Sequence, residues 1–180
     1  MSVYFGGSRS LPSQCSPFVG LVVQSVISSG ASVHVGCQFG ADQQVAMSAA
    51  FHHFLSLVVF AVAPSLQAAP AHVQRCARAG GRVVLSSGGS SAPMPARYLL
   101  RSIAAFQGCS QAVFFAPGPG SLAVARECVQ SGIPVFAFSC SEHPMQEPPA
   151  PIPSQAGQWV ASSFSGFSCW QWQPAQLSLF

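Results

Sequence analysis

Short runs rich in β-branched and aromatic residues alternate, along most of this chain, with stretches that have helical spacing. A turn rich in glycine, proline or serine follows most of these runs. Strands that alternate with single helices are typical of βαβ units, in which neighbouring strands run parallel. The six predicted strands are Val3 to Phe5, Ser32 to Gly36, Leu55 to Ala63, Arg82 to Ser86, Gln111 to Ala116 and Pro134 to Phe138.

This order of elements predicts an α/β fold of the Rossmann-like type, with a mainly parallel six-stranded sheet and helices on both faces. Because the crossovers are right-handed, the loops that follow the strands should all lie at the carboxyl edge of the sheet. Residues 1–140 form the predicted domain. Residues 141–180 begin with a proline-rich stretch and end in a segment rich in glutamine, serine and aromatic residues. We interpret them as a linker and a tail, which either packs back on the domain or is free.

Charged residues make up only 6% of the 180 residues, whereas 49% are hydrophobic. The most apolar run, Leu55 to Ala63, is nevertheless much shorter than the roughly 20 residues that span a bilayer. The first ten residues lack the basic start and apolar stretch of a signal peptide. We therefore expect a cytoplasmic protein that does not enter a membrane. All seven basic residues are arginine, and a net charge of +3 is too small for tight DNA binding by charge alone.

The seven cysteines are odd in number and include no C-x-x-C pair. Zinc sites and disulfide frameworks normally use cysteines in pairs with characteristic spacings. We therefore predict no metal site, and we expect reduced, mostly buried thiols.

The loop after the first strand is the first candidate ligand site. It contains Gly7, Ser8, Arg9 and Ser10, and a helix begins shortly after it. Glycines let a ligand approach the backbone, while amides, hydroxyls and a guanidinium are good partners for an anion. The alternative is an ordinary turn between a strand and a helix.

Two further loops have similar chemistry. Gly36 and Gly40 lead to Asp42 at a predicted helix start, where a carboxylate either caps the helix or accepts a hydrogen bond from a ribose hydroxyl. Gly118 and Gly120 lead to Ser121 at another helix start, which suits a phosphate. Arg97 and Arg101 are four residues apart, hence on one helix face, where they either reach the ligand or are solvated.

No catalytic residues are predicted. The chain has neither a G-x-G-x-x-G fingerprint nor a Walker A loop, so no NAD, ATP or other cofactor is expected. It also lacks a convincing Ser/His/Asp set, and four acidic residues offer few candidates for paired-carboxylate catalysis.

The three loops contain the motifs Gly7-Ser8-Arg9, Gly36-x-x-x-Gly40-Ala41-Asp42 and Gly120-Ser121-Leu122-x-x-Ala125-Arg126. Together they resemble the Rossmann domain of the DprA family of DNA-processing proteins, within the SLOG superfamily. The resemblance covers about residues 1–140, and Arg101-Ser102-Ile103-Ala104 resembles the basic helix start before the fifth strand of that family. It implies a module that binds a nucleotide or nucleic acid. The hydrolase motif of the related LOG proteins is only partly present, with Val124 where its glutamate would be, so that activity is not implied.

The last five residues match the peptide by which bacterial proteins bind the β sliding clamp. In such a peptide, leucine and phenylalanine enter an apolar pocket while glutamine anchors the other end. The alternative is a final strand or an apolar tail that covers the sheet. The matching residues are Gln176, Leu177, Ser178, Leu179 and Phe180.

Two functions are consistent with these features. The first is a non-enzymatic accessory protein of DNA metabolism, which holds a nucleotide or single-stranded nucleic acid and docks on the β sliding clamp. The second is a nucleotide-processing enzyme or nucleotide sensor of the SLOG type, in which the tail is only structural. The sequence leaves open whether the chain forms a homo-oligomer.

Overall fold

The computed structural model describes residues 1–52, 54–86, 91–140, 145 and 147–175. Five α-helices, two single-turn 3-10 helices and eight strands are found there. The α-helices are α1 (Ser16–Ser28), α2 (Ala41–His52), α3 (Ala71–Arg78), α4 (Met94–Phe106) and α5 (Pro119–Gln130). The strands are β1 (Ser2–Gly7), β2 (Ser32–Val35), β3 (Leu57–Val62), β4 (Arg82–Ser86), β5 (Gln111–Phe115), β6 (Val135–Phe138), β7 (Gly157–Phe164) and β8 (Phe167–Pro174).

The strands form one mixed sheet in the order β4-β3-β2-β1-β5-β6-β8-β7. The first six strands in this order are parallel, and the last two are antiparallel to their neighbours. The predicted Rossmann-like α/β fold is therefore confirmed, but the sheet has eight strands rather than six.

Helices cover both faces of the sheet and create two apolar layers. Val19 of α1, Val45 of α2 and Val73 of α3 are fully buried in the larger layer, together with Phe5 and Phe115 of the sheet. The smaller layer contains Phe106 of α4 and Leu122 of α5 against Tyr4 and Phe114. Successive strand residues point to opposite faces, so β1 and β5 each contribute to both layers.

The two additional strands are a hairpin that extends the sheet beyond β6. Ser165 and Gly166 connect β7 and β8 with φ angles of 50° and 84°, as a two-residue hairpin turn of type I′ requires. Trp172 of β8 is buried in the smaller apolar layer, where its ring meets that of Trp159 at a centroid distance of 5.3 Å. Ile152, in the proline-rich stretch, is also buried there. Much of the segment expected to be linker and tail thus packs on the sheet.

The cysteines are mainly core residues, as expected. Six of the seven are buried, and Cys140 is half-buried. Within the described ranges, no helix has both the length and the apolar character needed to cross a bilayer.

The order of the strands determines where a ligand can bind. From β1 the chain proceeds through β2 and β3 to β4 on one side, and then returns to place β5 on the other side of β1. Loops that leave two neighbouring strands in opposite directions create a crevice at the carboxyl edge, where ligands bind in open α/β sheets. In this fold the crevice lies between the loops after β1 and β5.

Candidate phosphate-binding site

A cavity of about 630 Å³ occupies this crevice. Its walls come from the end of β1, the first turns of α4, the start of α5 and the loop before α2. A volume of this size is typical of small-molecule sites, which cover roughly 300–1,000 Å³.

The structure places nine of the twelve predicted ligand residues around this cavity. Gly36, Gly40 and Arg97 do not line it. Arg97 is half-buried on α4, and its guanidinium contacts the sulfur of Met94 at 3.3 Å. The nine residues that line the cavity are Gly7, Ser8, Arg9, Ser10, Asp42, Arg101, Gly118, Gly120 and Ser121.

Asp42 and Arg101 form a buried ion pair at the base of the site. Arg101 Nη1 lies 3.3 Å from Asp42 Oδ2, and the side chains are 3% and 9% exposed. The backbone N–H of Gln38 donates to the same carboxylate oxygen at 3.1 Å. Burial raises the pKa of the Asp42 carboxyl, while the Arg101 guanidinium and the Gln38 amide oppose that rise. The charges of the pair cancel, so most of the attraction for an anion must come from elsewhere in the cavity.

Arg101 still has hydrogen-bonding capacity. Its Nε is buried and has no partner among the described residues. A buried donor without a partner is unfavourable by about 1–3 kcal/mol. A ligand oxygen within reach of this N–H would remove that cost.

Gly36 and Gly40 do not line the cavity, but they leave the space that its lining residues need. A Cβ at Gly36 would overlap the Arg101 guanidinium and the Asp42 carboxylate, so only glycine leaves room for the ion pair. Gly40 has a φ of 76°, and a Cβ there would collide with the backbone of Ser8 and Arg9. This close approach lets the N–H of Ala41 donate to the Ser8 carbonyl at 2.9 Å, which fixes the loop after β1.

The start of α5 supplies backbone donors. Gly118 is the N-cap, and the N–H of Leu122 already donates to its carbonyl at 2.9 Å. Pro119 has no N–H, so the amides of Gly120 and Ser121 are the first-turn donors without a helical carbonyl. The Ser121 hydroxyl accepts from the Gly118 N–H at 2.9 Å and donates to the Gly118 carbonyl at 3.0 Å. Ser121 therefore offers its amide, rather than its hydroxyl, to an anion.

Arg9 supplies the unneutralised charge. Among the lining residues that the structure describes, only Arg9, Asp42 and Arg101 are charged, and together they contribute a net charge of +1. The exposed Arg9 guanidinium lies 5.5 Å from the centre of the Tyr98 ring. A cation and the positive end of a helix on the walls of one cavity are suited to bind a phosphate or another anion.

Sequence reasoning missed the apolar part of the wall. Tyr4 lies in a strand, and burial raises the pKa of its hydroxyl, so this group stays protonated at neutral pH. Tyr98 lies three residues before Arg101 and four before Ser102 on α4, so helical periodicity counted back from Arg101 was the signal that could have located Tyr98. The lining residues missed from the sequence include Tyr4, Gln38, Tyr98, Ser102 and Phe114.

An open, mainly parallel sheet with its cavity at the switch point defines a domain of the Rossmann class. Neither a protein-family model nor a curated protein sequence matches this chain. Among solved structures, the DNA processing protein A (DprA) of Streptococcus pneumoniae is similar with a TM-score of 0.63 and 20% identity, over 76% of this chain. DprA of Helicobacter pylori, described as binding single-stranded DNA, has a TM-score of 0.60 and 14% identity over the same share. The fold is therefore DprA-like.

The chain spans only part of these two proteins, namely 49% of the S. pneumoniae chain and 64% of the H. pylori chain. The predicted clamp-binding residues 176–180 lie outside the described residues. Ala175, just before them, donates its N–H to the Ala156 carbonyl at the end of the hairpin.

Proposed function

We propose that this protein binds single-stranded nucleic acid or a nucleotide through a phosphate, and that it acts as a non-enzymatic accessory protein in DNA processing. The observation that carries this proposal is that Arg9 and the first turn of α5, with Gly120 and Ser121, line one cavity. Backbone amides and a guanidinium are the usual partners of phosphate oxygens. The DprA-like fold, shared with a protein described as binding single-stranded DNA, is consistent with this proposal.

The small charge of the protein limits the mode of binding. One net positive charge at the cavity cannot provide the many phosphate contacts of a non-specific DNA-binding surface. We infer that one phosphate is bound at a defined point, and that the neighbouring part of the ligand contacts the apolar wall. Affinity should therefore depend only weakly on salt.

A nucleotide sensor or nucleotide-processing enzyme is the second candidate. The cavity volume of about 630 Å³ favours it, since a single nucleotide can enter such a space. Competition distinguishes the two functions. If a mononucleotide displaces a labelled oligonucleotide at a similar concentration, the sensor is supported. If only oligonucleotides compete, the DNA-processing function is supported.

Replacement of Arg9 is the direct test. Arg9→Ala should weaken binding of an oligonucleotide or nucleotide by about 1.5–3 kcal/mol, the range of a hydrogen bond to a charged group. Arg78→Ala is the matched control, because it removes the same charge from the exposed end of α3, away from the cavity. Thermal-shift and anisotropy measurements report the affinity. Equal binding by Arg9→Ala and the parent would refute a phosphate site in this cavity.

We further propose that residues 176–180 dock on a bacterial β sliding clamp. The support is the match of all five residues to the clamp-binding peptide. Because β8 is antiparallel to β6, Ala175 lies towards the amino edge of the parallel strands, opposite the cavity. The clamp and the nucleic acid would then approach from different edges of the sheet.

A further inference from the structure

Arg9 has a fixed backbone and a loosely held side chain. The N–H of Ser8 donates to the Phe115 carbonyl at 2.9 Å, and the Ser8 carbonyl accepts from Ala41. Both bonds fix Ser8, the residue before Arg9. After Arg9, the N–H of Ser10 donates to the Ser8 hydroxyl at 3.1 Å, and Gly40 lies close against the Arg9 backbone. Within the described ranges, the Arg9 guanidinium has no hydrogen bond or ion pair. The aromatic ring of Tyr98, 5.5 Å away, is the contact that orients it.

Tyr98 is a stable platform for this contact. It is half-buried on α4 and packs against the larger apolar layer, while part of its side chain lines the cavity. Arg101 also lies near the ring, at 5.8 Å from its centre. However, Asp42 and the space above Gly36 hold Arg101 independently of Tyr98. Loss of the ring should therefore release Arg9 rather than Arg101.

We propose that Tyr98 is a positioning residue, which holds the Arg9 guanidinium at the cavity through a cation–π interaction before the phosphate arrives. This inference rests on the proposed function. An exposed arginine without such a contact occupies many rotamers, and binding must order it at an entropic cost. With the Tyr98 ring present, the Arg9 side chain is already partly ordered in the free protein. The planar guanidinium can lie on the ring and still direct N–H groups at a phosphate.

The test compares two replacements of Tyr98, with a fluorescein-labelled oligothymidylate as the probe in anisotropy titrations. Tyr98→Leu keeps an apolar side chain but removes the ring, and it should raise the Kd about fivefold, within the range of an exposed to partly desolvated cation–π contact. Tyr98→Phe keeps the ring and should bind as the parent does. An unchanged Kd for Tyr98→Leu would overturn the inference.

A double-mutant cycle separates positioning from direct stacking on the ligand. In the Arg9→Ala background, Tyr98→Leu should have no further effect, because the residue that it positions is gone. If Tyr98→Leu weakens binding equally in both backgrounds, Tyr98 contacts the ligand itself and the inference is wrong. Failure of the proposed function gives a different result, in which Arg9→Ala alone binds as well as the parent.

A measurement on the free protein does not depend on the stability of Tyr98 variants. The Arg9 Nε–Hε signal in a ¹⁵N NMR spectrum, assigned by its loss in Arg9→Ala, should have the relaxation of an ordered group. The exposed Arg78 is the internal reference and should be mobile on the same timescale of picoseconds to nanoseconds. Equal mobility of the two side chains would refute the inference.

Discussion

The Arg101 guanidinium occupies the space that a side chain at residue 36 would need. A Cβ on Gly36 would overlap Nη1 of Arg101 and Oδ2 of Asp42. The glycine, the cation and the carboxylate therefore act as one unit. This unit forms the base of the cavity, so its integrity should affect both stability and ligand binding.

Gly36→Ala should destabilise the protein by about 1–3 kcal/mol, as expected for overpacking at a buried site. It should also weaken phosphate binding, because Arg101 must move. Urea denaturation and anisotropy titrations measure the two effects. Gly120→Ala is the control for stability, since a Cβ there meets no atom within 4 Å. If Gly36→Ala is as stable as Gly120→Ala, the packing described for Arg101 is wrong.

Removal of one partner of the buried ion pair should lower the free energy of unfolding more than removal of both. Arg101→Leu leaves the Asp42 carboxylate buried without its cation, and should lower the free energy of unfolding by about 3–5 kcal/mol. Adding Asp42→Asn removes the remaining charge and should restore part of this loss. Urea denaturation of the two single variants and the double variant gives the coupling. Additive losses would show that the two side chains do not interact.

The stability should fall as the pH rises from 9 to about 11. Burial raises the pKa of the Cys109 thiol and of the Cys169 thiol to about 11, from an ordinary value of 9.0. Between these values the unfolded chain releases protons that the folded chain retains, so increasing pH favours unfolding. The melting temperature measured across this window should decline. The decline should be smaller in the Cys109→Ala/Cys169→Ala variant, and an equal decline would contradict a role of these thiols.

A synthetic peptide of residues 170–180 should bind a bacterial β clamp with a Kd in the micromolar range, as for short peptides that become ordered on binding. Leu179→Ala with Phe180→Ala should abolish this binding and leave the melting temperature of the whole protein nearly unchanged. Pro174→Ala, outside the motif, is the control peptide. If the tail instead covers the sheet, the double change should cost roughly 1.5–3 kcal/mol per large side chain. If the double change destabilises the protein and the parent peptide does not bind the clamp, clamp docking is excluded.

The sequence alone was sufficient to predict the parallel part of the fold. Its signals are local. A buried strand such as β5 is a short apolar run, and Gly118 followed by Pro119 marks the start of a helix. Parallel crossovers place all the loops that follow the strands at one edge of the sheet. The pattern of elements was therefore enough to assign the loops after β1 and β5 to one region.

The hairpin was not predicted, although its turn was visible. Ser165-Gly166 between aromatic residues is a hairpin signal, and Phe164 and Phe167 flank it. The strands themselves are rich in serine and glutamine, so they lack the apolar runs that marked β1 to β6. The pairing of β8 with β6 joins residues more than 30 positions apart, such as Phe136 and Gln171. Only the tertiary structure could decide that contact.

Tertiary structure also decided the roles of the charged residues. Arg97 and Arg101 lie four residues apart and so share one face of α4. Arg101 is nevertheless buried against Asp42, whereas Arg97 lies outside the cavity. The sequence determined which residues carry charge and which loops contain glycine. It could not determine which cation is neutralised, because that depends on Gly36 leaving space for a guanidinium from a helix some 60 residues further along the chain.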